Sequence, residues 1–396
     1  MPNKDKNIPK RRFKEFENAD AWELRKLGDT VIEIIAGGDI DKNKVVEFGK
    51  YPIYANSHSG DGIVGYYDDF YRVNGPAVTV TGRGEVGFAK ARETDFTPVV
   101  RLLAIRSKHN HCFLENAINL HGVTVESTGV PQLTVPQLSA YRIYFPYDIQ
   151  EENQIGTFFS TLDQQITLHQ RKLDLLKEQK KGFLQKMFPK NGAKVPELRF
   201  AGFADDWEER KLSSGLREYT DRVIVEDDKE YYQISVRNNF GGITLRGSKM
   251  GNKIGRKRQA KINLTKYPQT LIFTRQTVEQ GGIGWVDKYC DGAIVTENMP
   301  TISLDTSVFS KYFLTNLFQT RIFYKNAILD NVEGGSAQIA IHESKFLSST
   351  LLFPNLDEQE KIGQFFKQLD NTITLHQRKL DLLKEQKKGF LQKMFV

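Results

Sequence analysis

The sequence has few of the residues on which covalently stapled, secreted or membrane-spanning proteins depend. Cys112 and Cys290 are its two cysteines, so no disulfide framework is available and a reducing compartment such as the cytoplasm is expected. No run approaches about 18 consecutive apolar residues, the length that a membrane-spanning helix requires. The charged N-terminus has no apolar signal core, so secretion is not expected. These absences favour a globular protein without a membrane partner.

The sequence also lacks the side-chain patterns of an enzyme. Its 7 histidines are scattered, and no nucleophile–base–acid pattern, nuclease carboxylate set or Asn-Pro-Pro-aromatic methyltransferase motif occurs. The segment His109-Asn110-His111-Cys112 resembles part of a metal site, but no second ligand cluster follows at a suitable spacing. A loop followed by a buried cysteine is the preferred interpretation, and no metal is predicted.

Two glycine-containing segments resemble phosphate-binding motifs without matching them. Gly82, Gly84 and Gly87 follow a strand-like AVTVT, but no helix follows and Leu102 stands where a dinucleotide site needs an acid. The interpretation favoured is a glycine turn that presents Arg83 and lets the backbone approach a ligand. In GITLRGSK, the order of the final Ser and Lys is the reverse of a P-loop.

The dominant feature that is present is a repeat. Ile166–Phe188 recurs letter for letter as Ile373–Phe395, a spacing far larger than that of solenoid repeats. The WELRKL that begins at Trp22 recurs as WEERKL from Trp207, and similar Phe-Pro exits precede both helices. The intervening bodies differ. We therefore predict a body at 1–150, a helix at 151–190, a second body at 191–354 and a second helix at 355–396.

The repeated segment is predicted to be a long helix with a heptad seam, because apolar residues alternate at spacings of three and four. A helix from Ile155 to Phe188 would be roughly 50 Å long at 1.5 Å per residue. We expect the two copies to pack antiparallel on each other, with an internal pseudo-twofold. The polar groups of His169 and Lys180 interrupt the seam and could set its register. The seam residues are Leu162, Ile166, His169, Leu173, Leu176, Lys180, Phe183 and Met187 in the first copy, and Leu369, Ile373, His376, Leu380, Leu383 and Phe390 in the second.

The bodies between the repeats read as β-rich. Segments such as GPAVTVTGRGEVGFA and YYQISV alternate apolar and polar residues between glycine, asparagine and aspartate turn signals. Apolar residues at helical spacing predict short helices at Leu114 to Leu120 and Lys311 to Tyr324. The fold class is therefore α+β, with two β-rich domains and two long antiparallel coiled-coil helices.

Charge points to a polyanionic partner. The net charge is +7, and each repeated helix has six basic residues against two acidic ones, which suits either a solvated helix face or a nearby phosphate backbone or acidic partner. A second basic stretch runs from Lys249 to Lys261, is interleaved with glycines and is expected to have no acid that neutralises it; phosphate contact is favoured over a solvated loop. The candidate DNA-binding residues are Gly82, Arg83, Gly84, Lys90, Arg237, Lys253, Arg256, Lys257, Arg258, Arg275 and Gln276.

In this order, the motifs resemble those of the specificity subunit of a Type I restriction–modification system. The resemblance covers the whole chain and rests on the two WExxKL entries, TGRGEVG, STGVPQL from Ser127 with its counterpart GGSAQI from Gly334, the Phe-Pro exits and the twin helices. In the second half FTRQTVEQGGIGW replaces TGRGEVG, so Arg83 has no counterpart beyond Arg275.

The resemblance implies a non-enzymatic subunit whose two bodies each read one half of a split duplex DNA target. It implies that the helices set the spacer and dock two modification (methyltransferase) subunits. S-adenosylmethionine, ATP and magnesium would belong to these and to the restriction/translocase subunits, with no cofactor in this chain. A helix of about 50 Å corresponds to roughly 15 base pairs. The alternative is a coiled-coil scaffold that recruits proteins without binding DNA.

Overall fold

The computed structural model describes residues 7–57, 59–122, 131–190, 192–331 and 340–396. The chain divides into two compact units, one formed by Met1–Arg171 with Gln377–Val396 and the other by Lys172–His376. Both divisions fall inside long helices. Each unit therefore combines one β-rich body with a part of both helices.

The first unit contains three small sheets and three short helices. Its strands are β1 Glu23–Lys26, β2 Glu33–Ala36, β3 Tyr51–Tyr54, β4 Ile63–Tyr67, β5 Ala77–Thr81, β6 Ala89–Arg92, β7 Thr97–Pro98, β8 Leu102–Arg106 and β9 Arg142–Phe145. Its helices are α1 Leu27–Thr30, α2 His111–His121, α3 Val135–Ser139 and the start of the first long helix, α4 Ile149–Lys186. The sheets have the strand orders β2-β8-β5-β6, β4-β3-β7 and β1-β9.

The second unit repeats this plan with additions. Its strands are β10 Glu208–Lys211, β11 Leu216–Tyr219, β12 Asp221–Ile224, β13 Glu230–Val236, β14 Ile243–Met250, β15 Arg258–Lys261, β16 Thr270–Phe273, β17 Ile283–Trp285, β18 Ile294–Val295, β19 Thr301–Leu304 and β20 Thr350–Phe353. Its helices are α5 Lys311–Leu317, α6 Arg321–Phe323, α7 Glu343–Ser348 and the start of the second long helix, α8 Leu356–Met394. The sheets have the orders β11-β19-β16-β17, β12-β15-β18-β13-β14 and β10-β20.

The strand orders match between the units. The sheet β2-β8-β5-β6 corresponds to β11-β19-β16-β17, and β4-β3-β7 corresponds to β14-β13-β18, with an antiparallel and a parallel neighbour in both. Strands β12 and β15 are additions in the second unit. The predicted α+β class with two repeated β-rich domains is confirmed.

The short helices follow the prediction in part. Helix α2 covers the predicted segment, with Asn110 accepting a hydrogen bond from the Phe113 amide at its N-terminus. The second predicted helix ends at Leu317 instead of Tyr324. It stops there because the chain begins a new turn at Thr320, whose side chain accepts from the Phe323 amide and caps α6.

An aromatic cluster fills the core of the first unit, and the residue that follows α8 supplies one of its rings. The Trp22 and Phe113 rings lie 5.7 Å apart, and the Phe395 ring stacks on Phe113 at 5.3 Å. Near it, Phe158 of α4 meets Phe390 of α8 edge to face at 5.0 Å. Residues near the two ends of the sequence therefore close one core.

The second unit contains the same cluster built from equivalent residues. Trp207 and Phe313 lie 5.7 Å apart, and Phe188 lies 5.3 Å from Phe313. Phe183 of α4 meets Phe365 of α8 at 5.0 Å, the counterpart of the contact between the helices in the first unit. The residues of the sequence repeat therefore make equivalent packing contacts in both units.

Within each unit the two long helices run antiparallel. In the first unit Phe158 and then Asp163 of α4 contact Phe390 and then Lys387 of α8. In the second unit Lys180 and then Phe183 of α4 contact Asp370 and then Phe365 of α8. Helix α4 begins at Ile149, ahead of the predicted Ile155, because the Asp148 carboxylate accepts from the Gln150 amide. The seam position Lys180 donates into an ion pair with Asp370, 2.7 Å away.

The other predicted seam positions lie on the less exposed side of the helices. Those that are buried are Leu162, Leu173, Leu176, Met187, Leu380 and Leu383, and those that are half-buried are Ile166, His169, Phe183, Leu369, Ile373, His376 and Phe390.

Each long helix is also anchored at its start by a buried ion pair. Arg12 forms two hydrogen bonds to Glu151, at 2.7 and 2.6 Å, and both side chains are almost fully buried. In the second unit Arg199 holds Glu358 in the same bidentate way, at 2.9 and 2.7 Å. A bidentate guanidinium satisfies a buried carboxylate that would otherwise be expensive to desolvate. The entry segment of each body is thereby fixed to the helix that follows it.

Candidate nucleic-acid interface

The glycine turn after β5 is built by close packing, and we call its residues Asn56, Gly82–Gly84 and Arg101 the first tip. The Gly82 amide donates to Asn56 Oδ1 at 2.9 Å, and the Gly82 carbonyl accepts from the Leu133 amide at 2.9 Å. A Cβ atom at Gly82 would lie 2.2 Å from the Arg101 carbonyl oxygen, so only glycine fits. The turn places Arg83 on the surface.

Arg101 is a member of the first tip that the sequence did not reveal. It is exposed and has a φ of 72°, a left-handed conformation that non-glycine residues adopt uncommonly. Asn56 donates to the carbonyl of neighbouring Val100 at 3.1 Å, and Arg83 and Arg101 line one open cleft of about 510 Å³. The positive φ of Arg101 marks this position in the structure, and the sequence does not predict it.

The second unit forms the same turn with different residues, which we call the second tip: Arg275, Gln276 and Asn298. The Thr274 amide donates to the Gly282 carbonyl at 2.9 Å, and in the first unit the Thr81 amide donates to the Phe88 carbonyl at the same distance. The Arg275 carbonyl accepts from the Ile341 amide at 3.0 Å. The Gly82 carbonyl accepts from the Leu133 amide in the same way.

These bonds align Arg275 with Gly82 and exposed Gln276 with Arg83. The expectation that Arg275 is the counterpart of Arg83 is therefore wrong. Aligning the two halves of the chain without gaps does not give this correspondence. The glycines of the two turns lie at different distances from the preceding strand.

The Arg275 side chain is engaged within the protein. Its Nη2 lies 2.5 Å from Glu343 Oε2, and Glu343 is buried; the His342 ring nitrogen lies 3.3 Å from the same carboxylate. Burial, and then the charge of Glu343, raises the pKa of Glu218 nearby. Arg275 lines an open cleft of about 770 Å³ together with Arg258, but its charge already balances a carboxylate.

The basic stretch Lys249–Lys261 is neutralised in part by acids from elsewhere in the sequence. Arg256 pairs with Glu297 at 2.8 Å, and Lys257 pairs with Asp227. Lys261 lies 3.8 Å from Asp221. The expectation of a stretch without neutralising acids is wrong, because β15 pairs with β12 and β18, and these strands contain or precede the three acids.

The remaining candidates are dispersed. Lys253 and Arg258 are exposed, and Arg258 opens β15. Arg237 is exposed just after β13. Lys90 is half-buried on β6, and Gly84 has a φ of 76° with open space around it. The structure brings Gly82, Arg83 and Gly84 together in one tip and Arg275 and Gln276 in the other.

The His109–Cys112 segment has structural contacts. His109 Nδ1 lies 2.8 Å from Glu152, and His111 Nε2 lies 2.8 Å from Glu93. In the described part of the chain, the ligand atoms of Glu93, His111 and Cys112 lie within 4.8 Å of one another. Burial raises the pKa of the Cys112 thiol to about 11, so the sulfur is protonated at neutral pH. The arrangement is a histidine–glutamate hydrogen bond beside a thiol. Cys112 is half-buried in α2, so the prediction of a buried cysteine was wrong.

Two motifs noted in the sequence lie partly or wholly outside the described residues. Of STGVPQL, Ser127–Val130 are not described, while Leu133 is buried and fixes the first tip. GGSAQI, from Gly334 to Ile339, lies outside the described residues. No helix in the described ranges is long and apolar enough to cross a bilayer.

Comparison with known proteins decides the family. The model of the Type I restriction modification DNA specificity domain matches residues 19–178 and 205–385. The chain belongs to this family. The recognition of a Type I specificity subunit from the sequence is thereby confirmed, and DNA recognition is the function of the family's domain. The two matched segments correspond to the two repeats, each with its body and most of its long helix.

Individual relatives agree with the family. The specificity subunit of the Type I restriction enzyme MjaVIII from Methanocaldococcus jannaschii is 22% identical over 415 residues, covering 96% of this chain and 94% of that protein. A Mycoplasma pneumoniae protein described as a type I specificity subunit is 30% identical over 155 residues; this match spans 38% of the chain and 41% of the relative. The crystal structure of a Type I restriction–modification S subunit from M. genitalium has a TM-score of 0.65 at 12% identity, covering 98% and 99% of the two chains, and shares the fold.

Proposed function

We propose that the bodies at 1–150 and 191–354 are two DNA readers, each of which recognises one half of a split, asymmetric duplex sequence. The observation that carries this proposal is the contrast between the two kinds of repeated element. Residues 166–188 and 373–395 are identical, whereas the tips at equivalent strand ends present different side chains, Arg83 in one and Gln276 in the other. A protein that reads two different half-sites within one assembly needs this combination.

We propose that the long helices set the spacer and dock two copies of one methyltransferase subunit. Each unit exposes one equivalent pair of leucines on the helices. Leu168 and Leu382 are 63% and 51% exposed in the first unit, and Leu375 and Leu175 are 63% and 52% exposed in the second. Exposed large apolar side chains at repeated positions favour a protein partner. Because the surroundings are identical in sequence, one partner surface fits both pairs.

The chemistry of the assembly then belongs to its partners. The methyltransferase subunits would use S-adenosylmethionine to methylate adenine N6, and the restriction subunits would use ATP and magnesium for translocation and cleavage. This chain would contribute DNA sequence recognition and positioning, with no catalytic group and no cofactor of its own.

Exchange of a reader tests the proposal. Residues 29–140 are replaced by the equivalent segment of another family member, and the methylated motif of the source strain is determined by methylome sequencing. We expect one half of the motif to change while the other half and the spacer persist. The matched exchange of 214–348 should change the other half alone. A change in both halves from either exchange would contradict the two-reader arrangement.

Docking is tested separately. Leu168→Asp with Leu382→Asp, and the matched pair Leu375→Asp with Leu175→Asp, should each reduce the number of methyltransferase subunits per chain from two to one, as measured by native mass spectrometry of the assembled complex. Leu24→Asp, at another exposed leucine in the first body, is the control. A stoichiometry of two in both paired variants would place docking elsewhere.

A further inference from the structure

We propose that base selection in each reader depends on two exposed positions on the joined loops of the tip: Arg83 and Arg101 in the first, and Gln276 and Asn298 in the second. This inference rests on the proposed function, because it concerns how the two readers choose their half-sites. It names the residues and the kind of base that each pair accepts.

The pairing of Arg101 with Asn298 follows from strand register. In the first unit Thr79 pairs with Ala104 across β5 and β8, and in the second Ile272 pairs with Thr301 across β16 and β19. Thr81 and Thr274 are already aligned by their amide bonds to the next strand. Counting back along β8 and β19 from these aligned pairs brings Arg101 into register with Asn298.

The two loops that carry these residues are tied to each other in both readers. In the first, the Asn56 side chain accepts from the Gly82 amide at 2.9 Å and donates to the Val100 carbonyl at 3.1 Å, so one amide group bridges both loops. In the second, the Arg275 amide donates directly to the Asn298 carbonyl at 3.0 Å. Loops held in this way keep their side chains in place before DNA arrives, which reduces the ordering cost of binding.

The left-handed backbone of Arg101 supports a functional role for this position. A non-glycine residue with positive φ is strained, and such strain persists where the surrounding structure enforces it. Close packing surrounds Arg101 here, because a Cβ atom at Gly82 would lie 2.2 Å from the Arg101 carbonyl oxygen. Arg83 and Arg101 line the same cleft.

The side chains at these positions differ in the bases that they can recognise. Arginine donates two parallel hydrogen bonds to O6 and N7 of guanine, whereas glutamine and asparagine pair their amide with N6 and N7 of adenine. A pair of arginines therefore selects guanine in the major groove, and a glutamine–asparagine pair selects adenine. We infer that the half-site of the first reader contains a guanine read at the tip, and that of the second an adenine.

Exchange of the pairs between readers is the test. The source strain receives the chain with Arg83→Gln and Arg101→Asn, or with Gln276→Arg and Asn298→Arg, and its methylated motif is sequenced. The first variant should replace guanine by adenine at a position of the first half-site only, and the second should do the reverse in the other half-site. Arg142→Gln, at an exposed arginine on β9, should leave the motif unchanged.

Binding measurements accompany the sequencing, so that loss of methylation is also informative. Purified full-length chain is titrated with duplexes of the parent motif in which single base pairs are exchanged. For the parent chain, loss of the tip guanine should weaken binding about tenfold. Arg101→Lys keeps the charge but loses the bidentate geometry, so this preference should shrink while affinity for non-specific duplex stays within a few-fold.

Unaltered base preferences in both pair variants and in Arg101→Lys would overturn the assignment, as would a first half-site without guanine. A parent strain whose methylome does not depend on the chain would instead overturn the proposed function itself.

Discussion

The Lys387 ammonium lies 2.7 Å from the Asp163 carboxylate, and the repeat reproduces this contact in the second unit as Lys180 with Asp370, also at 2.7 Å. Both pairs join one long helix to the other. From the first pair to the second, α4 and α8 advance by the same number of residues in opposite directions. The two helices therefore need equal lengths between their ion pairs to satisfy both.

Insertion of one heptad into both helices, between these ion pairs, should lengthen the spacer of the DNA motif. Seven residues add about 10.5 Å of helix, which corresponds to roughly three base pairs at 3.4 Å each. Methylome sequencing measures the spacer directly. Insertion into α4 alone leaves the helices unequal, so one ion pair must break and methylation should fall. A spacer that keeps its length after the double insertion would rule out the helices as its determinant.

Removal of the aromatic rings that close the two cores should destabilise the protein. Phe188→Ala deletes a ring that is 2% exposed, and we expect the free energy of unfolding to fall by about 3–5 kcal/mol because a cavity remains. Phe395→Ala, at the equivalent but less buried position, should cost less. Denaturant unfolding measures both. The exposed Leu168→Ala should change stability by at most about 0.5 kcal/mol; an equally small effect of Phe188→Ala would contradict the described core.

Stability should depend on pH through Glu115 in the first unit. Burial raises the pKa of this carboxyl, so the folded state favours its protonated form. Its contribution to stability is fully present below the ordinary glutamate pKa of about 4.3 and is lost as the pH rises through the raised folded pKa. Glu115→Gln should therefore raise the melting temperature at pH 7.

That gain should vanish as the pH falls below about 4, where the wild-type carboxyl is protonated in both states. Glu47→Gln, at an exposed position, makes the same change in net charge and should show no such trend. A constant difference between Glu115→Gln and wild type from pH 4 to pH 8 would mean that this carboxyl does not govern the effect.

The basic stretch should contribute less to DNA binding than its charge indicates. Each phosphate contact contributes about 0.9 to the slope of log affinity against log salt. Because Arg256 and Lys257 pair with Glu297 and Asp227, replacement of Arg256, Lys257 and Arg258 by Ala should reduce the slope by about one instead of nearly three.

Titration of duplex DNA at several salt concentrations provides the slope. Glu297→Gln with Asp227→Asn frees both cations and should steepen it. An unchanged slope in both variants would assign the stretch to solvent.

The fold was largely predictable because the repeat is a strong constraint. Identical residues at identical heptad positions predict identical packing, and Phe188 and Phe395 do occupy equivalent places in the two cores. The body strands were recognisable from local alternation. The end of α5 and the start of α4 were harder to predict, because each depends on a single capping residue, Thr320 or Asp148.

The candidate site was predictable only in part, because its residues come together from distant segments. The glycine turn that presents Arg83 on the surface was predictable from the spacing of its glycines. Arg101 was missed, since the contact of its loop with Gly82 and the bridge from Asn56 depend on strand register. Arg275 was misjudged for a similar reason: the carboxylate that balances it, Glu343, lies far along the sequence.

The position of Phe395 in the core of the first unit also bears on how the chain is made. A ribosome completes the first body long before it adds Phe395, so the nascent protein holds an open apolar core until that residue has been added. The second body receives Phe188 from the segment that precedes it in the sequence and has no such delay. A message truncated just before the end of α8 would therefore leave the first-made body unfinished and the last-made body intact.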